Sequence, residues 1–250
     1  MISYPNVKLN LGLNVLRKRP DGYHDLETLF VPYFGIRDVL EITESSADSI
    51  RIFGGDWPAE KDLCWKALQM LRSDFAFPSV SIRLEKRAPV GAGLGSGSSD
   101  CVFTLKMLNE MFALGLSETV LSEYAARLGS DCPFFVFNRP MIGEGRGELL
   151  SEFDINLSSY DIRVEVPSGV AVSTREAYAG IVPGLPATPL REVLLKPVDE
   201  WKGVLVNDFE KSVFVSHPEI ASLKERFYSE GAVYASMSGS GSSVFGMFKK

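Results

Sequence analysis

The sequence predicts an α+β protein of two domains, and three observations lead to that prediction. Segments in which apolar and polar residues alternate indicate strands, and segments with apolar residues three and four positions apart indicate helices. Both patterns occur along the chain, and they start again near Asp161. A length of 250 residues also suits one or two domains of about 150 residues. We therefore place a soft domain boundary near residue 155, which separates residues 1–155 from residues 156–250.

The first domain is predicted to begin with a strand. Its odd positions from Val7 to Val15 are apolar and its even positions include Lys8 and Asn10, a period that predicts one buried face. The next strands are predicted at residues 28–33, 38–43, 49–53 and 80–84, with Gly54-Gly55 closing the pair made by 38–43 and 49–53. Helices are predicted at residues 62–71, at 102–112 with Gly115 as the stop, and from the Ser117 N-cap to Gly129.

The second domain is predicted from the same two patterns. A connector rich in proline and glycine occupies residues 183–189. A helix is predicted at residues 218–228, and strands are predicted at residues 162–166, 232–236 and 243–248.

The composition excludes several classes of protein. A net charge of −6 disfavours a nucleic-acid partner, because such proteins usually carry a basic surplus. The three cysteines are odd in number and lack C-x-x-C spacing, so they predict neither a disulfide framework nor a zinc site, and Cys101 and Cys132 fit small buried residues. The N-terminus has no basic leader with an apolar core, and no apolar run reaches about 18 residues. We therefore expect a soluble cytoplasmic protein without a membrane partner.

A glycine-rich stretch carries the strongest chemical signal. In PVGAGLGSGSS, residues 89–99, glycine occupies every second position from 91 to 97, and a helix follows. Glycine permits positive φ and lets backbone amides approach a ligand, while the helix offers unpaired N–H groups and the positive end of its dipole. The stretch lacks the Lys-Ser/Thr of a Walker motif and does not match a dinucleotide fingerprint. It predicts a cradle for phosphate groups, and a flexible Gly/Ser linker is the alternative.

Lys8 and Asp131 are candidates for phosphoryl-transfer chemistry. Lys8 faces away from the buried side of its predicted strand, and Asp131 follows the helix that ends at Gly129. Transfer to a hydroxyl group needs a carboxylate near that hydroxyl and positive charge near the transferring phosphoryl group. A solvated lysine and an aspartate in a turn or cap fit the same pattern.

Three separated motifs resemble those of the GHMP kinases, a family named after galactokinase, homoserine kinase, mevalonate kinase and phosphomevalonate kinase. Residues 89–99 resemble the family's second motif, and Met237-Ser-Gly-Ser-Gly-Ser-Ser243 resembles its third. Val7-Lys8-Leu9-Asn10-Leu11 resembles the first motif. Arg19-Pro-Asp-Gly-Tyr-His24 and Leu128-Gly-Ser-Asp-Cys-Pro133 resemble one branch of the family, whose substrate is a cytidyl diphosphate sugar alcohol.

The resemblance implies a two-domain GHMP kinase fold with the active site in the interdomain cleft. It implies an enzyme that transfers the γ-phosphoryl group of ATP to a hydroxyl group, with Mg²⁺ as cofactor. By motif position, Asp131 would be the general base, and Lys8 would orient that base and support the developing charge. The implied partner is a small molecule, and we expect a monomer or a weak homodimer.

The resemblance also assigns binding residues. Lys86 and Asp62 lie where the family places residues of the nucleotide pocket. Tyr23 would stack on the cytosine, His24 would contact its polar edge, and Asn10 and Tyr178 would line the substrate side. The residues that would wrap the triphosphate are Pro89, Val90, Gly91, Ala92, Gly93, Leu94, Gly95, Ser96, Gly97, Ser98 and Ser99.

The chain departs from the family pattern at three places. Asp100 and Asp62 stand where the family usually has an amide, and Asp100 could complement the helix dipole or lie near Mg²⁺. The chain stops at Lys250, soon after the third motif, so we expect a shortened second domain. The third motif itself fits either a ligand contact or a structural role.

Two other functions stay open at this point. Another small-molecule kinase of the family, of the mevalonate or homoserine type, would not need the match at Asp21-Gly-Tyr-His24. A non-catalytic ATP-binding module would not need both Lys8 and Asp131.

Overall fold

A computed structural model describes residues 1–250, with strands β1 to β11 and helices α1 to α8. Short 3₁₀ turns occur at Ala59–Lys61 and Val198–Glu200. The strands are β1 (Ile2–Ser3), β2 (Asn6–Lys18), β3 (His24–Arg37), β4 (Val39–Glu44), β5 (Ser49–Phe53), β6 (Val80–Glu85), β7 (Met141–Gly145), β8 (Leu149–Glu152), β9 (Tyr160–Glu165), β10 (Tyr234–Met237) and β11 (Val244–Lys249). The helices are α1 (Leu63–Asp74), α2 (Ser96–Met111), α3 (Glu118–Leu128), α4 (Cys132–Phe137), α5 (Thr174–Ala179), α6 (Leu190–Leu194), α7 (Glu210–Ser216) and α8 (Pro218–Ser229).

The chain forms two compact units, each made of three segments. The first unit contains Met1–Lys8, Pro32–Val90 and Gly95–Arg139. The second unit contains Leu9–Val31, Gly91–Leu94 and Pro140–Lys250. Strands β2 and β3 and the glycine-rich stretch therefore contribute residues to both units. A boundary between family domains near residue 155, and a site in a cleft between those domains, stay predictions.

The first unit is a four-stranded sheet with helices α1 to α4. The strand order is β1-β4-β6-β5, in which β4 pairs antiparallel and β5 pairs parallel with β6. The predicted pairing of residues 38–43 with 49–53 is therefore wrong. The reason is that α1 connects β5 to β6 as a crossover, and a crossover connection makes its two strands parallel. Helix α2 packs on α1 and α4 and on strand β4.

The second unit contains most of the sheet β2-β3-β7-β8 and the three-stranded sheet β10-β11-β9. Residues 26–30 of β3 pair antiparallel with β7, and β11 pairs antiparallel with both β10 and β9. Helix α8 packs on β10 and β11. The core of this unit brings together apolar side chains from β2, the helices and the last two strands, among them Leu13, Phe209, Phe227, Met237 and Val244.

Strand β2 differs from its predicted character. It is buried on both faces from Asn6 to Val15, so the prediction of a single buried face is wrong. Lys8 is 3% exposed and Asn10 is 2% exposed. The side chains at the even positions are polar because they bond to polar partners inside the protein. Alternation of polar and apolar residues in the sequence does not distinguish such a buried polar face from one that is exposed to solvent.

Helix α2 also differs from its predicted bounds. It begins at Ser96, before the first apolar residue of its pattern, because small and polar residues form its first turn. It ends at Met111 with Phe112 as its C-cap residue, and the residue in the left-handed region is Ala113, with a φ of 47°. Gly115 therefore lies beyond the helix stop. Helix α4 is a further difference, because its six residues are mostly buried and show no amphipathic period.

Several predicted elements are confirmed. Ser117 caps α3, where its Oγ accepts the Val120 N–H at 3.3 Å, and Gly129 ends that helix. The strands and helices predicted at residues 49–53, 80–84 and 218–228 occur within one or two residues of the predicted bounds. Strands β7 and β8 and helices α5 to α7 have no counterpart among the predicted elements.

Candidate active site

Residues 89–99 form a loop and the first turn of α2. Gly91, Gly93 and Gly95 have φ values of 71°, 77° and 68°, in the left-handed region that other residues rarely adopt. Gly95 is the N-cap of α2, and no side chain caps the helix there. The N–H groups of the first turn have no acceptor within the helix, and the helix dipole adds positive charge at the same end. This geometry suits phosphate oxygens.

Within the second unit, residues 91–94 pack on the third glycine-rich motif. Ser238 Oγ donates to the Gly93 carbonyl oxygen at 3.1 Å, and the Ser243 N–H donates to the Ala92 carbonyl oxygen at 3.1 Å. A Cβ atom on Gly93 would overlap the Ser238 carbonyl oxygen, whereas a Cβ on Gly91 would meet nothing within 4 Å. The third motif therefore shapes the loop, and a direct ligand contact by that motif stays a prediction.

Within the first unit, folding brings Lys8 and Asp131 together. Lys8 Nζ lies 3.7 Å from Asp131 Oδ2, with the lysine buried and 34% of the Asp131 side chain exposed. Burial lowers the pKa of Lys8, and the nearby Asp131 carboxylate opposes that shift. A Cβ on Gly95 would lie 3.2 Å from Lys8 Cγ and Cε, so the lysine passes close to the N-terminus of α2. A partly exposed carboxylate, an ammonium group and a helix N-terminus thus occur in one unit.

Helix α4 holds Asp131 in place. Asp131 is its N-cap residue, Pro133 occupies its first turn, and Phe134 and Phe135 are buried. Lys106 Nζ donates to the carbonyl oxygens of Phe135 at 3.0 Å and of Val136 at 2.6 Å, which satisfies groups at the end of the helix. Asp131 therefore begins a helix, in addition to following α3.

Lys86 and Asp62, the two other predicted nucleotide residues, already have partners within the first unit. Lys86 Nζ donates to Oδ2 of Asp38 and, at 2.6 Å, to Oδ2 of Asp100. Asp62 caps α1, where its Oδ1 accepts the Cys64 N–H at 2.7 Å and its Oδ2 accepts Trp57 Nε1–H at 2.9 Å. Contacts of Lys86 and Asp62 with a nucleotide stay predictions.

Asp100 is the most strongly perturbed acid of the site. Burial raises its pKa to about 8, and the negative charges of Asp38 and Asp62 act in the same direction. The positive charge of Lys86 opposes this shift of the pKa, and Lys86 donates a hydrogen bond to Oδ2 of Asp100. The other carboxyl oxygen, Oδ1, is buried and has no hydrogen-bond partner. Burial and the neighbouring acids therefore favour the protonated form of Asp100 near neutral pH.

The predicted substrate residues lie in the second unit. The His24 ring stacks on Tyr178 at a centroid distance of 4.8 Å and an interplanar angle of 22°. Burial and Lys18 lower the pKa of His24, which favours the neutral imidazole. Tyr23 is 57% exposed, and the Arg146 guanidinium lies 4.9 Å from its ring centroid. Asn10 is buried, and its Nδ2 donates to Thr28 Oγ1 at 3.0 Å.

Clusters of metal-binding side chains, membrane-spanning helices and disulfide bonds are all lacking from the structure. No group of three or more His, Cys, Asp or Glu side chains is arranged to hold a metal ion. No helix has both the length and the apolar character needed to cross a bilayer. The three cysteines are free and buried, as expected for Cys101 and Cys132. The expected cytoplasmic location stays a prediction.

Models of known families match two parts of the chain. The model described as the GHMP kinases N terminal domain matches residues 62–139, and the one described as GHMP kinases C terminal matches residues 193–250. Together they cover more than half of the chain. The chain belongs to the GHMP kinase family. The predicted α+β fold of this family is confirmed.

This GHMP kinase is similar over nearly its whole length to members of the family that share one name. It is 49% identical over 254 residues to a 4-diphosphocytidyl-2-C-methyl-D-erythritol kinase of Bacteroides fragilis, a match that covers 99% of this chain and 92% of the relative. It is 47% identical over 252 residues to the kinase of the same name in Parabacteroides distasonis, with 100% and 92% coverage. The crystal structure of a 4-(cytidine 5'-diphospho)-2C-methyl-D-erythritol kinase matches with a TM-score of 0.80 and 32% identity, covering 99% of this chain and 90% of that one.

Several residues that shape the site of this GHMP kinase were not predicted from the sequence. Asp38 pairs with Lys86, and Lys106 anchors α4. Asn207 Nδ2 donates to the carbonyl oxygens of Met237 and Gly239, both at 2.8 Å, and so holds the third motif. Each is a single polar residue in an otherwise ordinary segment, and its partners are distant in sequence. Only the motif residues carry a local signal.

The glycines of the loop should differ in their tolerance of alanine. Gly91→Ala should reduce the free energy of unfolding by about 1–2 kcal/mol, the cost of a left-handed alanine. Gly93→Ala has the same backbone cost and also overlaps the Ser238 carbonyl oxygen, so we expect a further loss of about 1–3 kcal/mol. Urea unfolding of both variants measures the difference, and equal losses would contradict the packing of the loop on the third motif.

The raised pKa of Asp100 predicts a pH dependence of stability. An unfolded aspartate titrates near pH 4, so between about pH 4 and pH 8 the folded state holds a proton that the unfolded state has lost. The free energy of unfolding should therefore fall as pH rises through this window, at a rate approaching about 1.4 kcal/mol per pH unit for one proton. The variant Asp100→Asn lacks this titrating carboxyl group. Its free energy of unfolding relative to that of wild type should therefore rise from pH 5 to pH 8. Parallel stability profiles for the two proteins would contradict the assignment.

Proposed function

We propose that this GHMP kinase transfers the γ-phosphoryl group of ATP to the 2-hydroxyl group of 4-diphosphocytidyl-2-C-methyl-D-erythritol, a step of non-mevalonate isoprenoid biosynthesis. The observation that carries the proposal is the similarity over nearly the full length to kinases named for that substrate. The geometry supports it, because a carboxylate and an ammonium group lie beside a helix N-terminus suited to phosphate. The products are ADP and the 2-phosphate.

The glycine-rich loop is proposed to bind the triphosphate of ATP. The protein carries a net charge of −6, so its overall electrostatic field does not attract a polyanion. Hydrogen bonds from the backbone amides of the loop would therefore supply much of the attraction for the triphosphate. The open space at Gly91 and Gly97 leaves room for phosphate oxygens near the backbone. Mg²⁺ would enter with the triphosphate, since this ion usually binds through substrate phosphates and only one or two carboxylates. When bound, it would neutralise charge on the phosphate groups.

Asp131 is proposed to accept the proton of the attacking hydroxyl group. Its side chain is partly exposed, so an oxygen is accessible, and α4 fixes its backbone. Lys8, at 3.7 Å, orients the carboxylate and places positive charge where the transferring phosphoryl group develops charge. The N-terminus of α2 contributes positive potential of the same kind. Proton acceptance and charge stabilisation are the two contributions this transfer requires.

The second unit is proposed to bind the cytidyl end of the substrate. Tyr23 presents an exposed aromatic face, and His24 offers a neutral ring with one donor and one acceptor nitrogen. Tyr178 stacks on His24 and packs edge-on against Phe209, which fixes the position of its ring. Asn10 lines the same side. We propose a monomer or weak homodimer that acts on this small molecule and on no nucleic acid.

Assays with purified protein and ATP test the proposal against the two alternatives. We expect turnover of the cytidyl substrate and none of mevalonate or homoserine. Turnover of mevalonate or homoserine in its place would assign another activity of the family. ATP binding without any phosphorylated product would assign a non-catalytic ATP-binding module.

Asp131→Asn should abolish most turnover and leave ATP binding intact. The substitution keeps the shape of the side chain but removes the base, so we expect kcat to fall by about 10²–10⁴-fold. Asp199→Asn is a control, because Asp199 is an exposed acid paired with Lys249. Steady-state kinetics and calorimetric ATP titration measure the two effects, and a near-normal kcat would contradict the assigned base.

Tyr23→Ala should mainly weaken binding of the cytidyl substrate. Loss of a base-stacking aromatic costs about 1–3 kcal/mol, so we expect the KM for that substrate to rise by about fivefold or more. Tyr4→Ala is a matched control, because Tyr4 is 56% exposed and Tyr23 is 57% exposed. An unchanged KM in Tyr23→Ala would place the cytosine elsewhere.

A further inference from the structure

Three ionisable side chains of the first unit, Asp38, Lys86 and Asp100, are buried together, and Lys86 and Asp100 flank the glycine-rich loop in the sequence. Lys86 Nζ donates to Oδ2 of Asp38 and to Oδ2 of Asp100, the latter at 2.6 Å. None of the three side chains is more than 3% exposed. Buried ion pairs gain little stability after desolvation, so their presence alone does not account for folding strength. As a group, these three side chains also hold parts of the backbone in position.

Asp38 holds the segment that enters the loop. Its Oδ1 accepts the backbone N–H groups of Arg87 at 2.6 Å and of Ala88 at 2.8 Å. Asp38 is itself anchored, because its own N–H donates to the Pro5 carbonyl oxygen at 2.9 Å. The two peptide groups that precede Pro89 are therefore attached to a buried, oriented carboxylate.

Asp100 belongs to the helix that leaves the loop. It follows the first turn of α2, and the Ser99 N–H donates to the Gly95 carbonyl oxygen at 3.0 Å within that turn. Lys86 precedes the loop and donates to Asp100 beyond it. One ammonium group therefore connects the entry of the loop to the start of α2.

The loop needs such attachments if it is to bind phosphate. It contains glycine at residues 91, 93 and 95, all in the left-handed region, and glycine loses more conformational freedom on ordering than any other residue. Amides stabilise an anion best when they are already oriented before it arrives. Fixing both ends of the loop lowers the entropy lost when ATP binds.

We infer that Asp38 and Asp100 are positioning residues for ATP, which through Lys86 and the Arg87 and Ala88 amides hold the loop and α2 in the geometry that receives the triphosphate. This inference rests on the proposed function, because it assigns the residues to ATP binding. Neither residue is required to contact the nucleotide.

The two carboxylates have different requirements. Asp100 uses only one oxygen, and it is surrounded by Lys86 at the loop entry, Asp38 before β4, and Asp62 and Cys64 at the start of α1. Lys86 is the one cation among the acids Asp38, Asp62 and Asp100, so a neutral side chain is favoured at position 100. The carbonyl oxygen of an amide at that position would still accept the hydrogen bond from Lys86 Nζ. Asp38 uses both oxygens as acceptors. An amide at position 38 would turn an NH₂ group toward either the Lys86 ammonium or the backbone N–H groups.

Titration calorimetry with ATP on the full chain tests this difference. We expect Asp38→Asn to raise the Kd for ATP by about tenfold or more, Asp100→Leu to raise it by about fivefold or more, and Asp100→Asn to change it by less than about threefold. In turnover assays, the KM for ATP should rise in Asp38→Asn while kcat at saturating ATP changes much less. Above about pH 8 the Kd of wild type should rise relative to that of Asp100→Asn, because Asp100 then ionises.

Asp48→Asn is a matched control for a purely structural effect. Asp48 Oδ1 accepts the Val80 N–H at 2.9 Å, and the carboxylate pairs with Arg72, so it bonds as Asp38 does but at the other end of β6. Thermal unfolding should show a loss of stability for Asp48→Asn with an unchanged Kd for ATP.

Each outcome separates the inference from the proposed function. Equal Kd values for Asp38→Asn and Asp48→Asn would overturn the inference alone, provided that wild type binds and turns over ATP. If Asp38→Asn does not fold, equal Kd values for Asp100→Leu and Asp100→Asn would overturn it. A wild-type protein that binds no ATP would overturn the proposed function and the inference with it.

Discussion

Binding a triphosphate to an acidic protein is the constraint on which the proposed site depends. The net charge is −6, and the ammonium group of Lys86 is already paired with Asp38 and donates a hydrogen bond to Asp100. Lys86 therefore already has acidic partners inside the protein, and the proposal relies on the N-terminus of α2, together with Lys8 beside Asp131, for local positive potential. Backbone amides act as donors only in one geometry, so the rest of the site serves to hold residues 89–95 in it.

Different supports in each unit maintain that geometry. In the second unit, Asn207 fixes the third motif, which in turn packs on Gly93 so closely that no Cβ fits. In the first unit, the Asp38–Lys86–Asp100 group holds residues 86–88 and α2. These supports consist of buried polar groups with specific partners, which determine orientation more than they add stability.

Most of the regular elements were predictable because burial imposes a period on the sequence. Strands β5 and β6 and helices α3 and α8 follow their apolar patterns closely. Helix α4 was missed because it is buried on nearly all sides, and β2 was assigned one solvated face because its second face is polar. In both cases the tertiary environment differs from the half-buried surface that a periodic pattern assumes.

The sequence by itself determined the chemistry of the loop, the order of the three motifs and membership of the GHMP kinases, because these depend on residue types at short, local spacings. Only the tertiary structure decided that Lys8 lies 3.7 Å from Asp131, that His24 stacks on Tyr178, and that Asp38 and Asp100 share Lys86. It also decided the pKa of Asp100, since desolvation and neighbouring charges set that value. The physical reason is that these interactions act over a few ångströms between residues far apart in the chain, and no local pattern records them.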